Sequence, residues 1–131
     1  MSFGTLKIDK ADRAFSLYIR TRDNWTCVRC GRYDPNTEHE KSSMQCSHFY
    51  GRRKESVRFD EDNADCLDFG CHQIWGSDDR ESYRAFKIKQ LGQRRFDALM
   101  IKANTPQRKD RKLAFIYWNE RFKQLESSGN S

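Results

Sequence analysis

The chain has 131 residues, of which 36% are hydrophobic and 34% are charged, and its formal net charge at pH 7 is +6. This length suits one domain, but the small apolar fraction indicates a modest core that a bound metal would help to hold together. No apolar stretch approaches the roughly 18 residues of a membrane span, which argues against a membrane partner, and the excess of Lys and Arg favours a polyanion such as nucleic acid.

In the first half of the chain, the sequence predicts one helix and two strands. Residues 9–22 carry apolar side chains at helical spacing, and Asp9 is suited to cap that helix at its N-terminus. Residues 44–50 and 64–68 are predicted as two short strands, joined by a basic and then acidic connection.

The second half of the chain is predicted to be mostly helical. The helical pattern begins near Cys71 and runs to about residue 91, with a break near Gly76. Gly92 is predicted to end this helix, because glycine favours the position just past a helix terminus. A further helix is predicted over about residues 93–103.

The last predicted helix, about residues 106–125, starts with Pro106, whose fixed φ suits a first helical position. It carries two apolar faces, one formed by Leu113, Ile116 and Tyr117 and the other by Phe115, Trp118, Phe122 and Leu125. Two apolar faces exceed what one small core needs, so the pattern predicts that one of them contacts a second copy of the chain in a homodimer.

The cysteines are odd in number and favour metal binding over disulfides. They are Cys27, Cys30, Cys46, Cys66 and Cys71. The N-terminal residues contain no apolar stretch of the signal-peptide type, so we expect a cytoplasmic protein, and disulfides are rare in a reducing cytoplasm. Clustered cysteines in that setting are typical of metal sites, whereas Cys46 is interpreted as a small buried hydrophobic residue.

A structural zinc site is predicted from the spacing of the other cysteines. Cys27 and Cys30 form a Cys-x-x-Cys knuckle that lets two thiolates face one ion. Cys71 is the third predicted ligand. The fourth is Cys66 or Asp68, which are two residues apart and would point to the same face of a strand. Because zinc prefers thiolate, we favour Cys66.

A resemblance to a known nuclease family rests on the order of three further residues. His48, Asn63 and His72, which directly follows Cys71, stand behind a Cys-x-x-Cys-Gly element and resemble the HNH (ββα-metal) endonuclease superfamily. More closely, the run SHFYGRR…VRFDEDNADCLDFGCH is similar to the phage NinG-type recombination endonucleases. The likeness covers roughly residues 10–100.

The resemblance implies a fold and a domain organisation. The implied class is α+β, with a small ββα-metal (HNH, treble-clef-like) core stapled by zinc and flanked by α-helices. Residues 1–131 would form a single domain, with its core at about residues 10–100. The implied setting is the cytoplasm of a bacterial host cell, if the chain is of phage origin.

The resemblance also implies a metal-dependent DNA endonuclease of phage or prophage recombination. His48 corresponds to the general base, which takes a proton from the attacking water. Asn63 corresponds to the residue that orients the base, and His72 to a ligand of a catalytic Mg²⁺ or Mn²⁺.

One departure from the family pattern concerns the catalytic metal. Many HNH enzymes carry an aspartate before the base histidine, where this chain has Ser47. Ser47 or Asp65 would then complete the shell around the ion bound by His72. The departure favours an alternative function, a catalytically weak zinc-containing DNA-binding module. A structural zinc protein that binds protein partners is a further alternative, which predicts no DNA affinity even at low salt.

Two basic clusters are candidates to contact the DNA backbone, the second of which is as well explained as a solvated helix face. Arginine and lysine bind phosphate without reading bases, so these clusters would position the substrate. They are Arg52, Arg53, Lys54 and Arg58 in the connection after His48, and Arg108, Lys109, Arg111 and Lys112 near the last helix.

Overall fold

The computed structural model describes residues 7–129 and is mixed α/β, mostly helical with a two-stranded sheet. Its regular elements are α1 (Lys10–Arg22), β1 (Gln45–His48), β2 (Ala64–Leu67), α2 (Phe69–Gln73), α3 (Arg80–Leu91), α4 (Gln93–Ala103) and α5 (Arg111–Gly129). Residues 1–6, which bear on the prediction about targeting, lie outside the described residues. Within residues 7–129 no helix is long and apolar enough to cross a membrane.

Helix α1 begins as predicted, with Asp9 as its N-cap. The Asp9 carboxylate accepts a hydrogen bond from the backbone N–H of Asp12 at 3.0 Å, and the Asp12 carboxylate accepts one from the N–H of Asp9 at 3.0 Å. This reciprocal capping box satisfies two backbone donors that would otherwise lack partners at the helix start. The predicted apolar stripe of α1 is buried in the core at Ala11, Ala14, Phe15, Tyr18 and Ile19.

The two predicted strands form an antiparallel hairpin, in which Ser47 lies opposite Asp65 and His48 opposite Ala64. Directly paired residues share a face of a sheet, and neighbours along a strand alternate. His48 therefore lies on the face toward α1, where its ring centroid is 5.7 Å from that of Phe15. Ser47 and Asp65 lie on the opposite face, toward α3.

The helical second half also follows the prediction. The predicted break near Gly76 is a π-helical turn, Ile74–Asp78, between α2 and α3. Helix α3 ends at Leu91, and Gly92 has a φ of +82°, a conformation that glycine adopts without strain. Helix α4 covers Gln93–Ala103 as predicted.

The predicted start of the last helix at residue 106 is wrong, because α5 begins at Arg111. Asp110 caps it, with its carboxylate accepting a hydrogen bond from the N–H of Leu113 at 3.0 Å. Glu55 anchors the chain at the start of the helix. Its carboxylate accepts hydrogen bonds from the backbone N–H of Lys109 and the guanidinium of Arg111. The cap by Asp110 and the hydrogen bonds to Glu55 therefore set the start of α5, and Pro106 does not.

The two apolar faces of α5 lie in different environments, one buried and one exposed. One face packs on α1 and contributes Phe115, Trp118, Phe122 and Leu125. The other face is exposed at Leu113, Ile116 and Tyr117, whose side chains are 63%, 62% and 50% accessible. The homodimer predicted from this second face stays a prediction.

A buried ion pair joins the loop after β1 to α1. The Arg58 guanidinium donates to both carboxylate oxygens of Asp12, at 2.7 and 2.6 Å, and both side chains are almost fully buried. Burial alone would raise the pKa of Asp12, but the hydrogen bonds from Arg58 and Asp9 hold it below its ordinary value of 3.8. The pair therefore stabilises the fold above that pH, and the contribution is lost as the pH falls and Asp12 is protonated.

Replacing Arg58 with methionine should destabilise the fold by about 3–5 kcal/mol at neutral pH, because the Asp12 carboxylate would remain buried without its partner. Urea denaturation measures the free energy of unfolding. The loss should be smaller at about pH 4, where the unpaired Asp12 takes up a proton. The exposed Arg94 offers a matched control, and Arg94→Met should change little. Equal stability of the two variants would contradict this account of Arg58.

Candidate metal centre and catalytic cleft

Four side chains gather at one point, and their ligand atoms lie within 4.8 Å of one another. They belong to Cys27, Cys30, Asp68 and Cys71. Three thiols and one carboxylate suit zinc, which takes four such ligands in tetrahedral sites. The residues of the cluster could therefore hold a zinc ion.

The Cys-x-x-Cys knuckle is shaped by backbone hydrogen bonds. The N–H of Gly31 donates to the carbonyl of Cys27 at 2.8 Å, and the φ of Gly31 is +83°, which favours glycine. The N–H of Val28 donates to the carbonyl of Cys66 in β2 at 3.0 Å. The knuckle is thus tied directly to the strand that leads into the second half of the cluster.

Asp68 serves the cluster and the start of α2 with different oxygens. As the N-cap of α2, its Oδ1 accepts a hydrogen bond from the N–H of Cys71 at 2.7 Å. Its Oδ2 lies 3.0 Å from the Sγ of Cys30. One oxygen therefore fixes the helix start while the other faces the thiols.

The preference for Cys66 as the fourth ligand is corrected to Asp68. Cys66 is fully buried in β2 opposite Cys46, outside the cluster. The expectation that Cys66 and Asp68 share a face assumed that the strand continues through both. The strand ends at Leu67, and the chain turns into α2 at Asp68, which brings its carboxylate to the cysteines.

Two of the three predicted reactive residues meet in one place. His48 and His72 line two adjoining clefts that also share Gly51. One cleft continues past Arg80 and the other past Arg52. No carboxylate lines either cleft among residues 7–129. His48 and His72 therefore share a concave surface, whereas Asn63 lines neither cleft.

The hydrogen bonding of His48 defines which ring nitrogen is free. Its Nε2 lies 2.9 Å from the backbone carbonyl of Arg58. A carbonyl only accepts, so Nε2 carries the proton and Nδ1 of the neutral ring holds a lone pair. The Nδ1 atoms of His48 and of His72 are both buried and have no hydrogen-bond partner among the described residues.

The surroundings of the two imidazoles keep them neutral. Burial, and after it the positive charge of Arg52, lowers the pKa of His48 to about 4. The same two causes, burial first, lower the pKa of His72. Both rings are therefore unprotonated at neutral pH, the form in which an imidazole accepts a proton or binds a metal.

Asn63 lies behind the cleft. It is fully buried, and its Oδ1 accepts a hydrogen bond from the N–H of Tyr50 at 2.8 Å. Its Nδ2 donates to the carbonyls of Tyr50 and Val57 at 2.9 and 3.1 Å. Its own carbonyl accepts from Phe49, the residue after His48, at 2.8 Å. Asn63 thus holds the loop that follows His48 at Phe49, Tyr50 and Val57, and its predicted orienting role stays a prediction.

Ser47 and Asp65, the predicted additional ligands of a catalytic ion, do not reach the cleft. Both are fully buried on the opposite face of the hairpin. The Asp65 carboxylate accepts hydrogen bonds from Tyr83 and Lys87 at 3.0 Å each and from Gln90 at 2.9 Å. These α3 side chains occupy the Asp65 oxygens, so the role predicted for Ser47 and Asp65 is corrected.

Two of the predicted DNA-binding residues, Arg58 and Arg111, form ion pairs within the chain. Arg58 is buried against Asp12, so its predicted contact with DNA is corrected. Arg111 is bound by Glu55 and Asp9, although it stays 35% exposed. The remaining residues of both clusters are Arg52, Arg53, Lys54, Arg108, Lys109 and Lys112. Five of the predicted residues line one groove of about 780 Å³, namely Arg53, Lys54, Arg108, Lys109 and Arg111.

Sequence reasoning missed Arg80, which lines the cleft with the two histidines. It is the first residue of α3, and no local pattern marks it. Only a tertiary contact places it in the cleft, a hydrogen bond of 2.7 Å from its Nη2 to the carbonyl of Phe49.

The comparisons with known proteins give one match. The sequence model of the family described as Bacteriophage Lambda NinG protein matches residues 5–124. This stretch contains the four-residue cluster, the hairpin and the cleft. No curated protein and no solved structure gives a significant match to the chain.

The fourth ligand can be tested by zinc affinity. Asp68→Asn keeps an oxygen that can cap α2 but removes the anionic ligand, so zinc affinity should fall by more than roughly tenfold, the least that losing even an outer-shell partner costs. Competition with a chromophoric chelator measures that affinity. Cys66→Ala is the control and should leave it unchanged. A loss of affinity in Cys66→Ala, with none in Asp68→Asn, would restore Cys66 as the ligand.

Proposed function

This chain belongs to the NinG family, and on that premise we propose that it is a metal-dependent DNA endonuclease of HNH type acting in phage recombination. The family match supports a recombination-related role in a phage-infected host cell. The cleft supports the finer proposal of phosphodiester hydrolysis.

The observation that carries this proposal is the free Nδ1 of His48. A general base needs a lone pair that faces the substrate and a second nitrogen that is held by an acceptor. The carbonyl of Arg58 fixes Nε2–H, and the buried Nδ1 lacks a partner among the described residues. Leaving a buried polar atom unsatisfied costs stability, so such an atom in a residue that lines the cleft suggests a functional role.

In the proposed reaction His48 activates water. Its Nδ1 takes a proton from a water molecule, and the water oxygen forms a bond to phosphorus as the bond to the 3′ oxygen breaks. The products are a 5′-phosphate and a 3′-hydroxyl, whose oxygen takes up a proton. Asn63 supports this step indirectly, since it holds the loop whose carbonyl at Arg58 sets the orientation of the His48 ring.

His72 would hold the catalytic ion. Its imidazole offers nitrogen, whereas Mg²⁺ and Mn²⁺ prefer oxygen ligands, so phosphate and water would supply most of the shell. When bound, a divalent ion of this kind stabilises charge on the leaving oxygen and the phosphate. The lack of a carboxylate in the described cleft predicts weak binding of the ion without substrate.

DNA would be held by the basic groove. Arg53, Lys54, Arg108 and Lys109 line it, and Arg53 also lines a cleft that contains the histidines. The backbone of a bound strand could therefore run from the reacting phosphate into the groove. Contacts of this kind are independent of base sequence and weaken with salt.

The alternative is a catalytically weak zinc-containing DNA-binding module. One observation favours it, the burial of Asp65 and Ser47 away from the cleft, which leaves His72 without a carboxylate partner for the ion. In that case the basic groove would bind DNA and no metal would promote cutting.

Nicking of supercoiled plasmid with Mg²⁺ or Mn²⁺ separates these functions. His48→Ala should lower the cleavage rate by about 10²–10⁴-fold, the usual contribution of a general base, and should leave DNA binding by fluorescence anisotropy intact. His39→Ala is a matched control, because His39 is exposed and lines neither cleft. Equal rates for both variants would refute the assignment of His48, and no cutting by the wild-type chain would favour the binding module.

A further inference from the structure

A second arginine, besides Arg52, lines a cleft with the histidine pair. Arg80 opens α3 and lines a cleft of about 410 Å³ together with His48 and His72. The adjoining cleft contains the same two histidines and Arg52. The pair of imidazoles is therefore flanked by a guanidinium in each cleft.

The Arg80 guanidinium is held in place by the residue that follows His48. Its Nη2 donates to the carbonyl of Phe49 at 2.7 Å, and its central carbon lies 4.6 Å from the centroid of the Phe49 ring. The contact with the ring and one hydrogen bond hold the group in place and leave the other N–H donors of its five available. The same short segment thus carries His48 and holds the Arg80 guanidinium.

Arg80 forms no ion pair within the described part of the chain, although Asp78, Asp79 and Glu81 adjoin it in sequence. Other arginines near the hairpin have acidic partners, such as Arg58 with Asp12 and Arg111 with Glu55. No carboxylate of residues 7–129 forms an ion pair with Arg80, and none lines its cleft. A fixed, exposed cation without an acidic partner suits an anionic ligand.

We propose that Arg80 binds the phosphate of a nucleic-acid strand beside His48 and His72, as a further catalytic residue of the site. This proposal rests on the function proposed above. A guanidinium can donate two parallel hydrogen bonds to phosphate oxygens, and the negative charge on those oxygens changes during attack. Since the contact involves the backbone alone, Arg80 adds no preference for base sequence.

A binding experiment tests Arg80 without requiring turnover. Thymidine 3′,5′-bisphosphate is titrated into the zinc-loaded chain and followed by calorimetry. Arg80→Ala should weaken binding by roughly tenfold or more, the range for a hydrogen bond to a charged group. Arg80→Lys keeps the charge but loses the planar fork, so its affinity should lie between those of Arg80→Ala and wild type. Arg94→Ala removes an exposed arginine outside both clefts and should bind like wild type.

A purely structural role for Arg80 predicts a different pattern. Loss of the bond to Phe49 would then lower the melting temperature of Arg80→Ala and leave the affinity of the folded chain unchanged. Affinity of Arg80→Ala equal to that of Arg94→Ala, or no binding by the wild-type chain, would overturn the proposal.

The cleavage assay keeps the two proposals separate. If the wild-type chain cuts plasmid, Arg80→Ala should lower the rate by about 10²-fold, as loss of one transition-state donor does, while Arg94→Ala should not. If the wild-type chain does not cut, the endonuclease proposal fails, and the bisphosphate titration still decides whether Arg80 binds phosphate.

Discussion

The gathering of Cys27, Cys30, Asp68 and Cys71 is the constraint on which the site depends. It joins a loop after α1 to the turn between β2 and α2. His72 follows Cys71 directly, so its position relative to the hairpin is set by this junction. Thiolates and a carboxylate repel one another at such distances, and a bound zinc ion would turn that repulsion into attraction.

The two faces of the hairpin carry side chains with different roles, because successive residues of a strand point to opposite faces. One face directs Asp65 into contacts with α3 at Tyr83 and Lys87, where its charge is compensated. The other face directs His48 toward α1 and the cleft, with one ring nitrogen held and the other free. The two faces of the hairpin can therefore serve stability and the proposed reactivity without competing for the same partners.

Local sequence predicted most helices and both strands, and the site residues that it placed wrongly or missed depend on tertiary contacts. The capping box of α1, the hairpin and the stop at Gly92 follow from residues within a few positions of one another. The errors involve distant partners: Arg58 meets Asp12 across 46 residues, and Arg80 meets Phe49 across 31. The choice of Asp68 over Cys66 depended on where β2 ends, which alternation alone does not specify.

Anomalous X-ray diffraction from crystals grown with Zn²⁺ and Mn²⁺ tests the account of this site most directly, because each metal is identified at its own absorption edge. The account predicts a zinc peak among the Cys27, Cys30 and Cys71 sulfurs and Asp68, and a separate manganese peak beside His72 in the cleft. A zinc peak bound by Cys66 in place of Asp68, or a manganese peak only at positions remote from His72, would contradict it.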